Sequence, residues 1–369
     1  MPKAKETVLE IDLKALAHNY AFLKAKLVPE TMFLGVVKAF AYGSDSIVIA
    51  KKLQELGADY LAVAYTKEGV ALRKAGITLP ILVLHPLPTS FKKIIKHRLE
   101  PNIYSFKILK EFMAVAEKRG EKKYPIHIKF NTGLNRLGFV EEDVDEICKL
   151  AESQDAIEIA SVFSHLAASE DLNEKEFTLR QLSIFDSISN KMRAKLLHKP
   201  FRHTLNTSGI INYGKRAQFE MVRSGIGLYG YGNEAAVDKE LMPVATLKTI
   251  ISQIHEIKAG ESIGYNRKYK AEASMVTATL PVGHADGIGR IYGNRNGFVW
   301  INGKKAEIIG NTCMDMIMVD VTGINCQAGD EVIVFGPKAS AEDLAKGAST
   351  ISYELLTGIS QRVKRLILE

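Results

Sequence analysis

The spacing of apolar residues gives the first prediction. Leu13, Leu16, Ala17, Tyr20, Leu23 and Leu27 recur every three or four positions, which predicts one buried helical face over Asp12–Leu27 after a strand-like Val8-Leu9-Glu10-Ile11. Short β-rich runs then alternate with longer amphipathic stretches. The predicted strands are Met32–Val37, Tyr60–Val63, Ile81–Leu84, Asn102–Tyr104, Ile126–Phe130, Ile157–Phe163, Arg202–Leu205 and Glu220–Val222. Helices are predicted between them at Asp45–Leu56, Lys67–Ala75, Phe106–Lys118, Glu142–Ala151 and Glu174–Met192. Eight such units predict a (β/α)8 barrel over residues 1–240. The rival, an open doubly wound sheet, often announces itself by G-x-G-x-x-G after its first strand, whereas Gly225-Ile226-Gly227 here follows the eighth.

The pattern changes around Asn233–Pro243. Beyond it, Ala245–Ile257, Ser274–Leu280, Phe298–Ile301, Ala306–Ile309, Ile317–Val321 and Glu331–Phe335 alternate with turns such as Asn294-Arg295-Asn296-Gly297 and Asn302-Gly303. They predict a mainly antiparallel β domain over 241–369, with a last helix at Ala341–Leu356. The fold class expected is therefore α/β, a (β/α)8 barrel followed by an antiparallel β domain.

Composition narrows this picture only a little. The chain has 369 residues, of which 46% are hydrophobic and 25% charged, which excludes disordered and low-complexity classes. A net charge of +7 points to an anionic partner. A nucleic-acid binder would show a contiguous Lys/Arg stripe interleaved with aromatics, and these cations are dispersed, so no nucleic acid is expected. No apolar run approaches the ~18 residues of a membrane span. Met1-Pro2-Lys3-Ala4-Lys5 leads into a strand with no signal-type stretch, and the expectation is a soluble cytoplasmic chain with no membrane partner. Cys148, Cys313 and Cys326 form no C-x-x-C pair, so neither a metal site nor a disulfide framework is expected.

In a (β/α)8 barrel the chemistry gathers where strands end. Lys38 and Tyr42 follow the first predicted strand, Lys129 and Arg136 lie at and after the fifth, His165 after the sixth, and Asn206-Thr207-Ser208 after the seventh. Arg223 with Gly225-Ile226-Gly227 follows the eighth. Several cations thus share one rim. The last two loops supply hydroxyls and glycines where barrels bind phosphate, although two ordinary turns would look the same. Lys38 ends the apolar run Phe33–Val37, where desolvation can lower a lysine pKa toward Schiff-base chemistry. A lysine snorkelling off a strand end is the plain alternative. Together with the phosphate loops, Lys38 suggests pyridoxal 5'-phosphate as cofactor.

Seven segments carry a resemblance. They are Gly35-Val36-Val37-Lys38-Ala39-Phe40-Ala41-Tyr42-Gly43, Lys129–Gly138, Ser164-His165-Leu166-Ala167, His203–Ser208, Val222–Gly230, Gly283-His284-Ala285-Asp286-Gly287 and Asn311–Met316. In order and spacing the set resembles the alanine racemases over nearly the whole chain.

The resemblance implies a pyridoxal-phosphate-dependent enzyme that interconverts L- and D-alanine and supplies D-alanine for peptidoglycan. It also implies a homodimer in which the β domain of one subunit completes the barrel site of the other. By that match Lys38 forms the Schiff base, and Lys38 and Tyr265 are the two acid/base groups, with Tyr265 the base for the L enantiomer. Tyr42, Asn206, Thr207, Gly225, Ile226 and Tyr353 would hold the phosphate, and Arg223 would face the pyridine nitrogen. Arg136 and the backbone at Met314 would contact the substrate carboxylate, beside Asp315. His165, Arg223 and His203 would help Tyr265 to ionise. The lysine at the position of Lys129 is often carbamylated in the family.

The chain departs from the usual motifs at Phe40, at Ser44-Asp45, at Thr207 in place of serine, and at His284 in place of tyrosine. A racemase of broader or serine preference is the neighbouring reading, because a methyl pocket discriminates by only ~1–3 kcal/mol. A barrel decarboxylase would be expected to place a carboxylate where Arg223 stands. A non-catalytic pyridoxal-phosphate carrier would need Lys38 but neither Tyr265 nor a second domain.

Overall fold

The computed structural model describes residues 4–232 and 235–369. Residues 1–3, and 233 and 234 within the predicted change of pattern, lie outside the described residues. The chain divides into two compact units: Ala17–Ala41 with Ser46–Leu241, and Met1–Leu16 with Tyr42–Asp45 and Met242–Glu369.

A first strand, β1 (Val8–Asp12), is followed by eight that close into a parallel barrel. These are β2 (Met32–Val36), β3 (Tyr60–Val63), β4 (Ile81–Val83), β5 (Glu100–Ile103), β6 (Tyr124–Lys129), β7 (Ile157–Phe163), β8 (Phe201–His203) and β9 (Met221–Ser224). Closure comes from β2 pairing with β9, with Leu34 opposite Arg223. Parallel strands covered on both faces read as continuous apolar runs, and β2 and β4 are of that kind. The crossover helices bury one stripe each. Phe106–Lys118 buries Ile108, Leu109, Phe112 and Ala116, and the Ser105 side chain caps it by accepting from Ile108 N. Helices at Phe91–Lys96, Thr207–Ala217 and Ala235–Asp238 add to those predicted.

The second unit contains β10 (Ala245–Ile250), β11 (Gln253–Ile257), β12 (Ser262–Ile263), β13 (Tyr269–Lys270), β14 (Met275–Leu280), β15 (Phe298–Ile301), β16 (Lys304–Ile309), β17 (Ile317–Asp320), β18 (Glu331–Phe335) and β19 (Lys364–Leu368). Nine strands form one sheet in the order β11-β14-β17-β16-β15-β18-β10-β1-β19, while β12 and β13 pair separately. Neighbours are antiparallel except β1 with β19, which run parallel.

Three expectations are corrected. The barrel does not begin at residue 1, because β1 pairs with β10 and β19 in the second sheet. Ala245–Ile257 is not one strand but two that pair with different partners: β10 is largely buried, whereas β11 keeps Gln253, His255 and Glu256 at a sheet edge. Ala341–Leu356 is two helices, Ala341–Gly347 and Ser352–Gly358, separated where Ser349 takes a φ of 54°.

Candidate active site

Lys38 lies two residues beyond the end of β2 and opens a left-handed turn. Ala39, Phe40, Ala41 and Tyr42 have φ of 52°, 54°, 55° and 54°. Each L residue held there costs roughly 1–2 kcal/mol, so the turn needs a clamp. Glu68 provides one: its Oε1 accepts from Ala39 N at 2.7 Å, and its Oε2 accepts from Ala64 N at 2.8 Å and Tyr65 N at 3.0 Å. Ala41 N adds a bond to Val37 O at 3.1 Å. Burial and then the Arg136 charge hold the Lys38 amine below the usual lysine range, with Glu68 acting in the opposite direction.

Arg223, on β9, is only 5% exposed. Its Nη1 donates to His203 Nδ1 at 2.6 Å, and its Nη2 donates to Ser164 O at 2.7 Å, Thr204 O at 3.0 Å and His165 Nδ1 at 3.3 Å. The guanidinium also lies over the Phe163 ring, 5.3 Å from its centroid. Burial pulls it down to about 9, which leaves it a cation at neutral pH. Desolvation and the Arg223 charge then hold His165 and His203 well below the usual imidazole range, so both are neutral.

The loops after β8 and β9 meet at Thr207. Asn206 caps the helix Thr207–Ala217 by accepting from Gly209 N at 2.8 Å, and Ser169 Oγ donates to the same oxygen at 2.8 Å. Thr207 Oγ1 accepts from Gly225 N at 3.2 Å and Gly227 N at 3.1 Å. A Cβ on Gly227 would come within 2.5 Å of Thr207 Cγ2, so only glycine permits this approach. Ile226 is buried in the short helical turn between.

Lys129 ends β6 and is buried. Burial, followed by the charges of Arg136, Arg223 and Lys38, lowers it to about 8. Arg136 sits on an exposed loop shaped by Asn131, whose Oδ1 accepts from Gly133 N at 3.2 Å and Asn135 N at 2.9 Å. Among the described residues no carboxylate forms an ion pair with Lys38, Lys129, Arg136 or Arg223.

In the second unit, Tyr265, Met314 and Asp315 line one depression with Gly264, Cys313 and Met316. Tyr265 is 70% exposed and Met314 59% exposed. Asn311 Nδ2 donates to Tyr265 O at 3.1 Å. The Met314 loop is pinned by its neighbours: His284 N donates to Cys313 O and Ala285 N to Met314 O, both at 3.0 Å. A Cβ on Gly283 would lie 2.4 Å from Met314 O, so this contact too requires glycine. Arg362 bonds the Asp315 carboxylate. Tyr42 and Tyr353 face each other with ring centroids 6.0 Å apart, and burial raises the Tyr42 phenol above its usual range.

The structure thus gathers Lys38, Lys129, Arg136, His165, His203, Asn206, Thr207, Arg223, Gly225 and Ile226 in the barrel unit. It places Tyr42, Tyr265, Met314, Asp315 and Tyr353 in the second unit. Of the departures from the usual motifs, Phe40 and His284 are exposed, whereas Ser44 and Thr207 are buried. Glu68 and Arg362 were absent from the sequence reading, and Gly227 and Asp286 stood in its motifs without a role. A glutamate opening a helix and an arginine before the last strand carry no signal of their long-range partners.

Residues 11–233 match the family model described as alanine racemase, N-terminal domain, and residues 244–367 the one described as alanine racemase, C-terminal domain. The chain is 38% identical over 371 residues to alanine racemase 1 of Clostridium acetobutylicum, a match covering 98% of this chain and 95% of that one. The structure is similar to the solved alanine racemase of Clostridium difficile 630, with a TM-score of 0.92 and 35% identity, covering 100% of this chain and 97% of that one. It is also similar to a Bartonella henselae alanine racemase solved with covalently bound pyridoxal phosphate, with a TM-score of 0.90 and 29% identity, covering 99% and 100% of the two chains.

Proposed function

The chain belongs to the alanine racemase family of pyridoxal-phosphate-dependent isomerases, and from that premise we propose that it interconverts L- and D-alanine by proton transfer between two side chains, Lys38 and Tyr265. The observation that carries this reading is the group Lys38, Lys129, Arg136 and Arg223 in one unit with no ion-paired carboxylate among the described residues. Such a site suits a phosphate and a substrate carboxylate.

The residues fit the cofactor. Thr207 Oγ1 gathers the Gly225 and Gly227 N–H groups at a helix N-terminus, and Gly227 leaves room that a Cβ would fill. Bound there, pyridoxal phosphate supplies an aldehyde that condenses with amino groups and a conjugated ring that acidifies the substrate Cα–H. Lys38 would hold the aldehyde carbon until a substrate amine displaces it. Tyr42, Asn206, Thr207, Gly225, Ile226 and Tyr353 hold the phosphate. Arg223, a donor at each of its hydrogen bonds, would stand toward the ring nitrogen and could not accept a proton from it.

Arg136 and the Met314 backbone N–H bind the alanine carboxylate, with Asp315 beside them. For L-alanine, whose amine would displace Lys38 from the aldehyde carbon, an ionised Tyr265 Oη takes the Cα proton and a protonated Lys38 Nζ returns one to the opposite face; the roles exchange for D-alanine. The lowered proton affinity of Lys38 suits it to both halves. Lys129, its proton affinity lowered by burial and then by the charge of Arg136, would orient that guanidinium once converted to a carbamate.

Tyr265 and Met314 are too exposed to act alone, and Ile291 and Met316 are also exposed on the second unit. A homodimer answers this, with the β unit of one subunit supplying Tyr265, Met314 and Asp315 to the barrel of the other. The D-alanine formed is what peptidoglycan synthesis consumes. Three free cysteines fit a cytoplasmic enzyme, and no described helix is long and apolar enough to cross a membrane.

The test is incubation of the holoenzyme with L-alanine in heavy water. Deuterium should enter at Cα while D-alanine accumulates. Protein that carries the cofactor's visible absorbance yet gives no exchange would overturn the proposal.

A further inference from the structure

A chain of side chains runs from Arg223 through the barrel to a carboxylate that none of the catalytic motifs contains. Arg223 Nη1 meets His203 Nδ1 at 2.6 Å, His203 Nε2 meets Ser161 Oγ at 2.9 Å, Ser161 Oγ meets His127 Nδ1 at 2.6 Å, and His127 Nε2 meets Glu100 Oε2 at 2.7 Å. His203, Ser161 and His127 are each 0% exposed, so water cannot substitute for any link.

With His127 uncharged, one arrangement of protons gives every hydrogen in the chain an acceptor. A guanidinium has donors and no acceptor, so His203 Nδ1 must be a lone pair and its proton must sit on Nε2. That proton points at Ser161 Oγ, whose own hydrogen is then given to His127 Nδ1. His127 therefore also carries its proton on Nε2 and donates it to Glu100. The Glu100 carboxylate also accepts from the Tyr60 hydroxyl, whose proton burial and that carboxylate hold firmly in place. The other neutral tautomer of His127 would turn a bare Nε2 toward the Glu100 carboxylate, and its Nδ1–H would deprive the Ser161 hydrogen of its acceptor.

We propose that Glu100 is a positioning residue for the racemase reaction: through His127, Ser161 and His203 it sets the tautomer that lets Arg223 keep its place. The inference rests on the function proposed above only in assigning Arg223 to the ring nitrogen. Stacking supports the rigidity of the relay, since the His203 ring lies 4.7 Å from Phe163 at 6°.

The experiment uses holoenzyme labelled with 15N at histidine, with the His127 and His203 signals assigned by substitution. In the wild type both rings should be neutral and protonated on Nε2 alone; a proton on Nδ1 of either would overturn the proposal. Ser161→Ala removes one hydroxyl from a small side chain and cuts the relay. It should lower kcat roughly tenfold, as loss of an outer supporting partner does, with KM for alanine within about twofold, and should shift the visible band of bound pyridoxal phosphate. A Ser161→Ala enzyme with wild-type band and kcat would sink the idea. Glu100→Leu should leave His127 as a mixture of tautomers and reproduce those losses. Glu100→Gln, whose amide oxygen can still accept from His127, should restore tautomer and band together; an equal defect in the Gln and Leu variants would count against the relay. Should Glu100→Leu not fold, the wild-type spectrum and Ser161→Ala decide the question. Correct tautomers in an enzyme that does not racemise alanine would overturn the assigned reaction and leave the proton arrangement standing.

Discussion

Arg362 holds Asp286 in a forked pair, Nε to Oδ1 at 2.7 Å and Nη2 to Oδ2 at 3.0 Å, while the same Nη2 reaches Asp315 Oδ1 at 2.7 Å. Asp286 is almost fully buried, and its Oδ2 also accepts from Gly283 N at 2.9 Å. Arg362 therefore fixes Asp315, beside Met314, relative to a rigid interior group. Lysine cannot fork. Arg362→Lys is expected to raise KM for alanine roughly tenfold, the loss of one charged hydrogen bond, while changing kcat less. Steady-state kinetics in both directions check this, and an unchanged KM would count against it.

Lys129 gives a pH dependence of known sign. Its folded value of about 8 lies below the ordinary 10.5, so between these pH values the unfolded chain binds more protons than the folded one. Stability from this group consequently rises with pH across that window, and below it the buried cation costs about 3 kcal/mol. Lys129→Met should accordingly stabilise the cofactor-free protein near neutral pH, with the advantage fading as pH approaches 10.5. Urea unfolding of both proteins in bicarbonate-free buffer measures the difference.

Thr207 carries a prediction about the cofactor. Thr207→Val strands the Gly225 and Gly227 N–H groups, each worth about 1–3 kcal/mol when left unpaired in a buried place. The dissociation constant of pyridoxal phosphate, followed by its absorbance, should rise at least roughly tenfold, whereas Thr207→Ser should stay near wild type.

The two acid/base groups should separate cleanly. Lys38→Ala is expected to abolish the visible absorbance of lysine-bound cofactor. Tyr265→Phe should keep that absorbance and lose racemisation from the L side. Full activity in the Tyr265 variant would refute a two-base reaction.

Much of the barrel could be read from the chain because its strands are continuous apolar runs. Tyr60–Val63 and Ile157–Phe163 coincide with the observed elements. Lys38, Lys129, Thr207 and Arg223 were legible for a related reason: a polar residue closing an apolar strand in a barrel has few places to be except the open end. Tyr265 and Tyr353 lie in polar turns of the second unit, where nothing local marks them, and only the resemblance named them. Glu100, His127 and Ser161 were passed over because strand patterning treats an inward polar residue as an exception to burial. What connects them is contact between strands far apart in sequence.

The pairing of β1 with both β10 and β19 has a consequence for how the polypeptide is made. During synthesis β1 is made before every barrel strand, yet its hydrogen-bonding neighbours follow the last of them, β19 at the far end of the second unit. The barrel residues can assemble in that interval while β1 waits with unsatisfied edges. The nine-stranded sheet can be completed only once β19 has been made. A ribosome that stalls within the second unit would release a chain whose opening strand has no place to go, a ready target for chaperones and proteases.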